Sequence, residues 1–369
     1  MSPDTILVSR GPGETRTALL AGDELVEIRH ARDHEIQPGA VYAGRVRAKV
    51  PGIEAVFVDI GAALPGVLMV KGRLPLEGAA IAVAVAVPPR ADKGADLRAA
   101  DMPLSDKAPV LLKAAPPAAL AWWQCYRDGI ERILCAPSSQ AQPLRAALGA
   151  DAPVETFKDG DLFTAYGVQE AIEAALQIGV SLPSGGSLLI EPTAAVVAID
   201  INSGSSSPAI ANAEAMPAVA RELRRRNIAG HIVVDLIAQG RGARGTLRQS
   251  LTDAVGTDPI ATHVTGLTPL GMLELTRKRE GLSLAETLCD ASGALSVSSV
   301  ALKLLRDAVR YGMAERVGRV AVAAAPDVLA VLQGPLHAAL AEAEDMLKAA
   351  LMLKPNAQFP RARFEFSAA

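Results

Sequence analysis

A chain of 369 residues is long enough for two or three domains, and with half of them hydrophobic it can bury a sizeable core. Aromatic residues are only 3%, and alanine and valine carry much of the apolar content, a balance that suits helices and parallel strands and excludes a disordered chain. The net charge of −3 gives no overall attraction to a phosphate backbone, so a polyanion would have to be met by local patches.

The N-terminal MSPDTILVSRGPGETR carries acids and a Gly-Pro turn instead of a basic-then-apolar leader. The strongest apolar stretch, GAAIAVAVAVPP at 78–89, alternates and falls short of the roughly 18 residues a membrane span needs. Cys125, Cys135 and Cys289 are few and odd in number, which points to a reducing cytoplasm and no disulfide framework.

In chain order, 5–10 and 17–28 read as a strand and a hairpin turning at Gly22-Asp23. Gln37-Pro38-Gly39 breaks the pattern, and 41–72 then alternates at period two with Pro-Gly and Gly turns. With IAVAVAV this makes about five short strands, enough for a small OB-type barrel. Such barrels bind single strands through aromatic and basic side chains, here Tyr42, Phe57, Arg45, Arg47, Lys49 and Lys93, although Tyr42 and Phe57 serve equally well as core. The Pro- and Asp-rich stretch 88–109 reads as a linker.

A helix is expected over 115–127, with one of Trp122 and Trp123 packed and the other partly exposed. A strand at 130–135, a helix over 138–148, a strand near 153–157 and an amphipathic helix over 168–179 follow. SLLIEP and AAVVAID form a hairpin, and 208–226 is a helix with Pro208 in its first turn and a kink point at Met216-Pro217. HIVVDLI (231–237) is a strand, followed by a basic loop and a helix over 246–255. LGMLELTRKR is expected as a helix, and from 295 the pattern becomes a small α/β domain with a strand in VGRVAVAAA and long helices from 326 to 353.

Two strands end on acids, Asp200 and Asp235, and the helix between them makes a βαβ unit. Such units are right-handed with parallel strands about 4.8 Å apart, so neighbouring strands bring both acids to one C-terminal edge, where open α/β sheets place their ligands. Close carboxylates repel unless a cation lies between them, and Mg²⁺ suits one or two carboxylates with water and phosphate oxygens. Asn202, two residues past Asp200, can reach across to orient the second carboxylate. Residues 221–250 hold seven arginines against two acids, and the loop after Asp235 brings Arg241 and Arg244 to meet phosphate. Each acid alone reads as an ordinary turn cap; the pair beside a basic loop indicates Mg²⁺-dependent phosphate chemistry on a polymer.

AIDINSG, IVVDLI and LTPLGMLELTRKR in this order resemble the catalytic core of the ribonuclease E/ribonuclease G family of bacterial endoribonucleases, and VYAGRVRAKVPGIEAVFVDIG with PGVL resembles its inserted S1 domain. The resemblance runs from about residue 4 to about residue 290. It implies an α/β chain (α+β, several subdomains) in which an RNase H-like part, 1–35 and 108–176, receives an S1 (OB-type) barrel at 36–98. A DNase I-like catalytic subdomain at 177–290 and a small C-terminal domain at 295–369 follow.

Carried over position by position, Asp200 and Asp235 match the magnesium-binding aspartates and Asn202 the asparagine that hydrogen-bonds within that site. Phe57 matches an aromatic that packs on an RNA base, and Lys93 in DKGA a lysine near the scissile strand. Arg277 or Arg279 would reach a phosphate. The implied activity is cleavage of single-stranded RNA by water attack, leaving 5′-phosphate and 3′-hydroxyl ends, with Mg²⁺ or alternatively Mn²⁺ as cofactor.

The departures are specific. Val67 stands where the family has a second S1 aromatic, 99–107 replaces the 5′-monophosphate sensor, and Ala238 replaces an acid three residues past Asp235. The zinc-link motif shrinks to CDAS, with Ser292 for the second cysteine; Cys289 alone is a poor basis for a structural zinc, so a homodimer would rest on protein contacts. The alternatives are a catalytically degenerate RNA-binding protein of the same family and a small-molecule phosphatase with Asp200 as nucleophile.

Overall fold

The computed structural model describes residues 2–90, 93–105, 107–238, 241–315 and 319–368, with the side chains of 241–243 outside the description. The chain begins as an antiparallel meander, β1 (Thr5–Gly11), β2 (Glu14–Ala21) and β3 (Glu24–Arg32). It then leaves this sheet for β4 (Val41–Lys49), β5 (Ala55–Asp59), β6 (Gly66–Met69), β7 (Ala80–Val87), β8 (Asp96–Ala99) and β9 (Val110–Lys113).

Five of these close on themselves in the order β5-β6-β8-β7-β4, with β4 pairing back to β5 and carrying β9 beside its first half. This is a closed barrel of the OB type, filled by Val46, Val56, Val58, Leu68, Val83, Val85 and Leu97. The fifth strand, β8, lies in the stretch that composition marks as linker. Within β8 and the residue before it, Leu97 and Ala95 are the buried positions, too little apolar signal to announce a strand.

The chain returns through α1 (Ala118–Tyr126), β10 (Arg132–Ala136), a 3-10 turn at Ser138–Gln140, α2 (Ala141–Leu148), β11 (Val154–Thr156), α3 (Leu162–Ala165) and α4 (Val168–Ala175). β10 pairs parallel to β1, so segments before and after the barrel form one sheet, β11-β10-β1-β2-β3. One face packs on α1 and α2; the other on α3 and α4. Trp122 and Trp123 are both buried, not one of them, because α1 is enclosed by the sheet and α2, and the Arg127 guanidinium lies 5.5 Å from the Trp123 ring.

The third sheet comprises β12 (Gly179–Ser181), β13 (Ser187–Pro192), β14 (Val197–Asn202), β15 (Gly230–Asp235), β16 (Thr262–Leu267) and β17 (Leu273–Arg277), ordered β12-β13-β14-β15-β17-β16. Helix α5 (Pro208–Arg225) links β14 to β15; Ser207 caps it by accepting from the Ile210 amide, Pro208 fills the first turn, and the helix continues through Pro217. Helix α6 (Arg241–Val255) begins five residues earlier than the sequence suggests, since Gly242 and Gly245 mask its first turns. LELTR is strand β17, not a helix: its burial alternates strictly, with Leu273, Leu275 and Arg277 inward and Glu274 and Thr276 outward.

The arginine run at the end of α5 joins two sheets. Arg224 donates to Glu27 and to the Tyr126 hydroxyl, and Arg225 to the Leu25 carbonyl; Arg226 donates to Glu222 and to the Gln177 carbonyl. A short α7 (Leu284–Leu288), opened by a Ser283–Glu286 capping box, leads to α8 (Val297–Glu315). Then come β18 (Val320–Ala324), α9 (Pro326–Gln333), α10 (His337–Leu347), β19 (Leu351–Pro355) and β20 (Phe364–Ala368), with strand order β19-β18-β20. The stretch 326–353, expected as long helices, is two helices followed by a parallel edge strand that begins at Leu351. Among the described residues no helix is long and apolar enough to cross a membrane.

Candidate active site and nucleic-acid interface

Period-two alternation decides where the strand-end acids point. In β14, Ile199 and Ile201 enter the core under α5 and α6, so Asp200 and Asn202 face away from the helices. In β15, Ile232 and Val234 enter the same core and Asp235 faces away. The two strands are parallel and hydrogen-bonded, with Asp200 directly in register with Asp235. Adjacent strands lie about 4.8 Å apart, so the two exposed carboxylates stand side by side on one face at the C-terminal rim.

Asn202 donates to the Asp200 Oδ2 at 3.0 Å. It therefore orients its own strand's carboxylate and does not reach across to Asp235, because residues two apart on a strand share a face. Among the described residues no group of three or more His, Cys, Asp or Glu side chains converges as a metal cage. Two carboxylates and an amide match the donor set of Mg²⁺, which keeps most of its shell as water and phosphate, and not that of a structural zinc.

The rim is held from behind by residues that motif reading passes over. Asn212, fully buried on α5, donates to the Ile237 carbonyl at 2.8 Å and accepts from the Ile237 amide at 3.2 Å, which fixes the chain just past Asp235. Its signal in the sequence is a lone amide among alanines on an apolar helix face. Gly204, past Asn202, has φ +56, and a Cβ there would stand 2.2 Å from the Gly185 carbonyl oxygen. Glu214 locks the same neighbourhood by accepting from the Ser184 amide and hydroxyl.

Of the candidate phosphate-binding arginines, Arg244 lies at the rim: its guanidinium packs against Gly271, 3.4–3.5 Å from where a Cβ would stand. The side chain of Arg241 lies outside the described residues. Arg277 must be corrected. Its side chain is 0% exposed, because the alternation of β17 turns it inward, where Asp258 accepts from Nε at 2.8 Å and Asn227 and the Ile228 carbonyl accept from Nη1. A phosphate cannot reach it. Arg279 donates to Glu286 at 2.8 Å and to the Ala229 carbonyl, so its charge is already met within the fold.

On the barrel, Phe57 faces outward, half-buried, in register with Ala48 on one side and Val67 on the other. The Val67 amide donates to the Ala95 carbonyl, and Lys93, exposed and hydrogen-bonded through its backbone to Arg90, lies two residues before Ala95. The structure thus brings Phe57, Val67 and Lys93 to one side of the barrel. Tyr42 is half-buried and packs against the barrel core, and burial pushes its hydroxyl pKa up. The Arg45 guanidinium, partly exposed, donates to the Gly78 and Ala108 carbonyls. Arg47 pairs with Asp59.

Comparison with known proteins gives a consistent result. Residues 99–280 match the model of the Ribonuclease E/G family. The chain is 39% identical over 165 residues to Ribonuclease G of Haemophilus influenzae, covering 40% of this chain and 34% of that protein. It is 34% identical over 199 residues to Ribonuclease G of Escherichia coli K12, covering 50% and 41%. Against Ribonuclease E of a Nostoc species the identity is 40% over 142 residues, 35% of this chain and 21% of that protein. The matched region spans 21% to 41% of the length of these relatives.

Proposed function

The chain belongs to the ribonuclease E/G family through residues 99–280, and on that premise we propose that it is a Mg²⁺-dependent endoribonuclease that cuts single-stranded RNA into 5′-phosphate and 3′-hydroxyl products. The observation that carries this reading is the in-register pair Asp200 and Asp235 on an uncovered sheet face, with Asn202 hydrogen-bonded to Asp200. On the same reading, 36–98 is the S1 domain, and 1–35 with 108–176 the RNase H-like part. Residues 177–290 are the DNase I-like subdomain, 295–369 a small C-terminal domain, and 99–107 stands where relatives carry a 5′-end sensor.

Asp200 and Asp235 would hold the cation, with Asn202 orienting the Asp200 carboxylate through its hydrogen bond. A divalent ion held there supplies Lewis-acid polarisation of the phosphoryl group and lowers the pKa of water. Arg244 meets a non-bridging phosphate oxygen at the rim. Phe57 packs against a base and Lys93 meets the backbone, both from the barrel.

The deciding experiment incubates 5′-labelled single-stranded RNA with wild type and with Asp235→Asn, with and without EDTA. Cleavage confined to wild type without chelator is expected, at equal rates on 5′-triphosphate and 5′-monophosphate RNA. Equal cleavage by Asp235→Asn would sink the assignment. A second reading, an RNA-binding protein without chemistry, draws on Val67 beside Phe57, where an aromatic partner is missing. It predicts salt-dependent binding with no cleavage in Mg²⁺ or Mn²⁺.

A further inference from the structure

The tip of the β16–β17 hairpin has an unusual composition for a turn. Leu267 and Leu273 close the hairpin, and Thr268–Met272 form its end. The end is rigid: the Thr268 amide donates to the Met272 carbonyl at 2.9 Å, the Gly271 amide to the Thr268 carbonyl at 2.9 Å, and the Met272 amide to the Thr268 hydroxyl at 3.2 Å. Pro269 restricts the backbone, and Gly271 at φ +94 allows the reversal. On this fixed turn Leu270 is 83% exposed, more than any other large apolar side chain among the described residues.

Position makes that exposure informative. β17 runs antiparallel to β15, with Leu273 opposite Val234, so the tip lies just past the end of β15, beside Asp235. At about 3.3 Å per residue and about 4.8 Å between strands, the Leu270 backbone lies roughly 10 Å from that of Asp235. Arg244 lies against Gly271, directly under the tip. The rim beside the carboxylate pair therefore carries a cation and an apolar knob side by side. The sheet face behind it carries Glu191 and Glu274, which repel a polyanion.

A phosphate met by Arg244 beside the carboxylate pair would put the neighbouring nucleotide one backbone step away, over Leu270. Every nucleobase has an apolar face, and an exposed leucine on a rigid turn offers it a contact with little ordering cost. Resting on the endoribonuclease reading above, we propose that Leu270 is a base-docking contact that receives the nucleobase next to the scissile phosphate and so sets where the strand is cut.

The test compares wild type, Leu270→Ala and Leu270→Phe on a randomised single-stranded RNA pool, reading kcat/KM and the base composition on either side of each cut. In parallel, oligonucleotides carrying 2-aminopurine at successive positions are bound in Ca²⁺. Leu270→Ala is expected to lower kcat/KM by about tenfold, flatten the base preference beside the cut and remove the 2-aminopurine signal at one position, with Leu270→Phe restoring all three. The side chain is 83% exposed, so the fold tolerates both substitutions. If wild type cuts RNA and Leu270→Ala leaves rate and cut map unchanged, this inference falls and the nuclease assignment stands. If wild type binds without cutting but the 2-aminopurine signal depends on Leu270, the docking contact stands and the chemistry falls. Neither cutting nor binding overturns both. A change in sedimentation with an unchanged cut map assigns the tip to a protein contact and overturns the inference.

Discussion

The five-stranded and six-stranded sheets are built from similar residues but covered differently. The first is packed on both faces, with α1 and α2 on one side and α3 and α4 on the other. The second carries α5 and α6 on one face only, and the face left bare holds Asp200, Asn202 and Asp235. A sheet buried on both sides uses its charges to hold elements together. A half-covered sheet can leave charges unsatisfied, and those are available for chemistry.

The largest expected contrast lies between the carboxylate pair and the rest of the fold. Asp200→Asn or Asp235→Asn should reduce RNA cleavage by about a thousandfold or more, the scale on which loss of a transition-state electrostatic contact is felt. Both side chains are exposed, so urea denaturation should shift by no more than about 0.5 kcal/mol. A large loss of stability would place these acids in the scaffold and remove the contrast.

Glu14 is the counterpart on the buried sheet. It is 1% exposed and accepts from His30, Arg32 and Arg306, which joins β2 to α8. Glu14→Ala should cost about 3–5 kcal/mol, because it strands buried cations. Burial opposes its charge, but His30, Arg306 and Arg32 outweigh burial and hold its carboxyl well below the ordinary value of 4.5. The contribution is therefore complete above about pH 4.5 and is lost as pH falls through the lower, folded-state pKa. Asp161 works in the same direction: burial raises its pKa, but the Thr164 amide, Arg16 and Arg310 lower it below 3.8. Acid titration followed by circular dichroism should show stability falling below about pH 4.5 in wild type, with a shallower slope in Glu14→Ala. A slope of opposite sign would refute the assignment.

An intermediate effect is expected at Asn202. Its amide only orients Asp200, so Asn202→Ala should lower kcat by about 10–100-fold and raise the Mg²⁺ concentration needed for half activity. A loss of activity without a change in Mg²⁺ dependence would separate Asn202 from the carboxylates.

What the sequence makes legible follows from pattern length. The βαβ unit carries long apolar strands, a capped helix and two acids at matched ends, so its register can be read before any coordinates. Strand β8 and strand β17 are harder, because each is short and its buried residues alternate with polar ones that fit a linker or a helix equally well. The arginines mislead most. Arg277 reads as a solvated or phosphate-facing cation, yet burial against Asp258 uses its charge internally; nothing local in LTRKR distinguishes the two cases, since Asp258 is 19 residues away. Leu270 is invisible for the opposite reason, because an apolar residue after proline reads as core until its exposure is seen.

The smallest effect sharpens the comparison at the barrel. Phe57 and Val67 are cross-strand partners on the outer face, with side chains about 5 Å apart at the Cβ. A second ring at 67 would extend the platform without disturbing the interior, since Val67 is half-buried and points away from Val56, Val58 and Leu68. Base–aromatic stacking is worth about 1–3 kcal/mol, and a partly exposed edge sits at the lower end. Val67→Phe should therefore tighten binding of single-stranded RNA by roughly fivefold while leaving the Mg²⁺ requirement unchanged. The gain should vanish in the Phe57→Ala background if the two rings act as one surface. Equal gains in both backgrounds would mean that the outer face of the barrel does not carry the strand past Phe57.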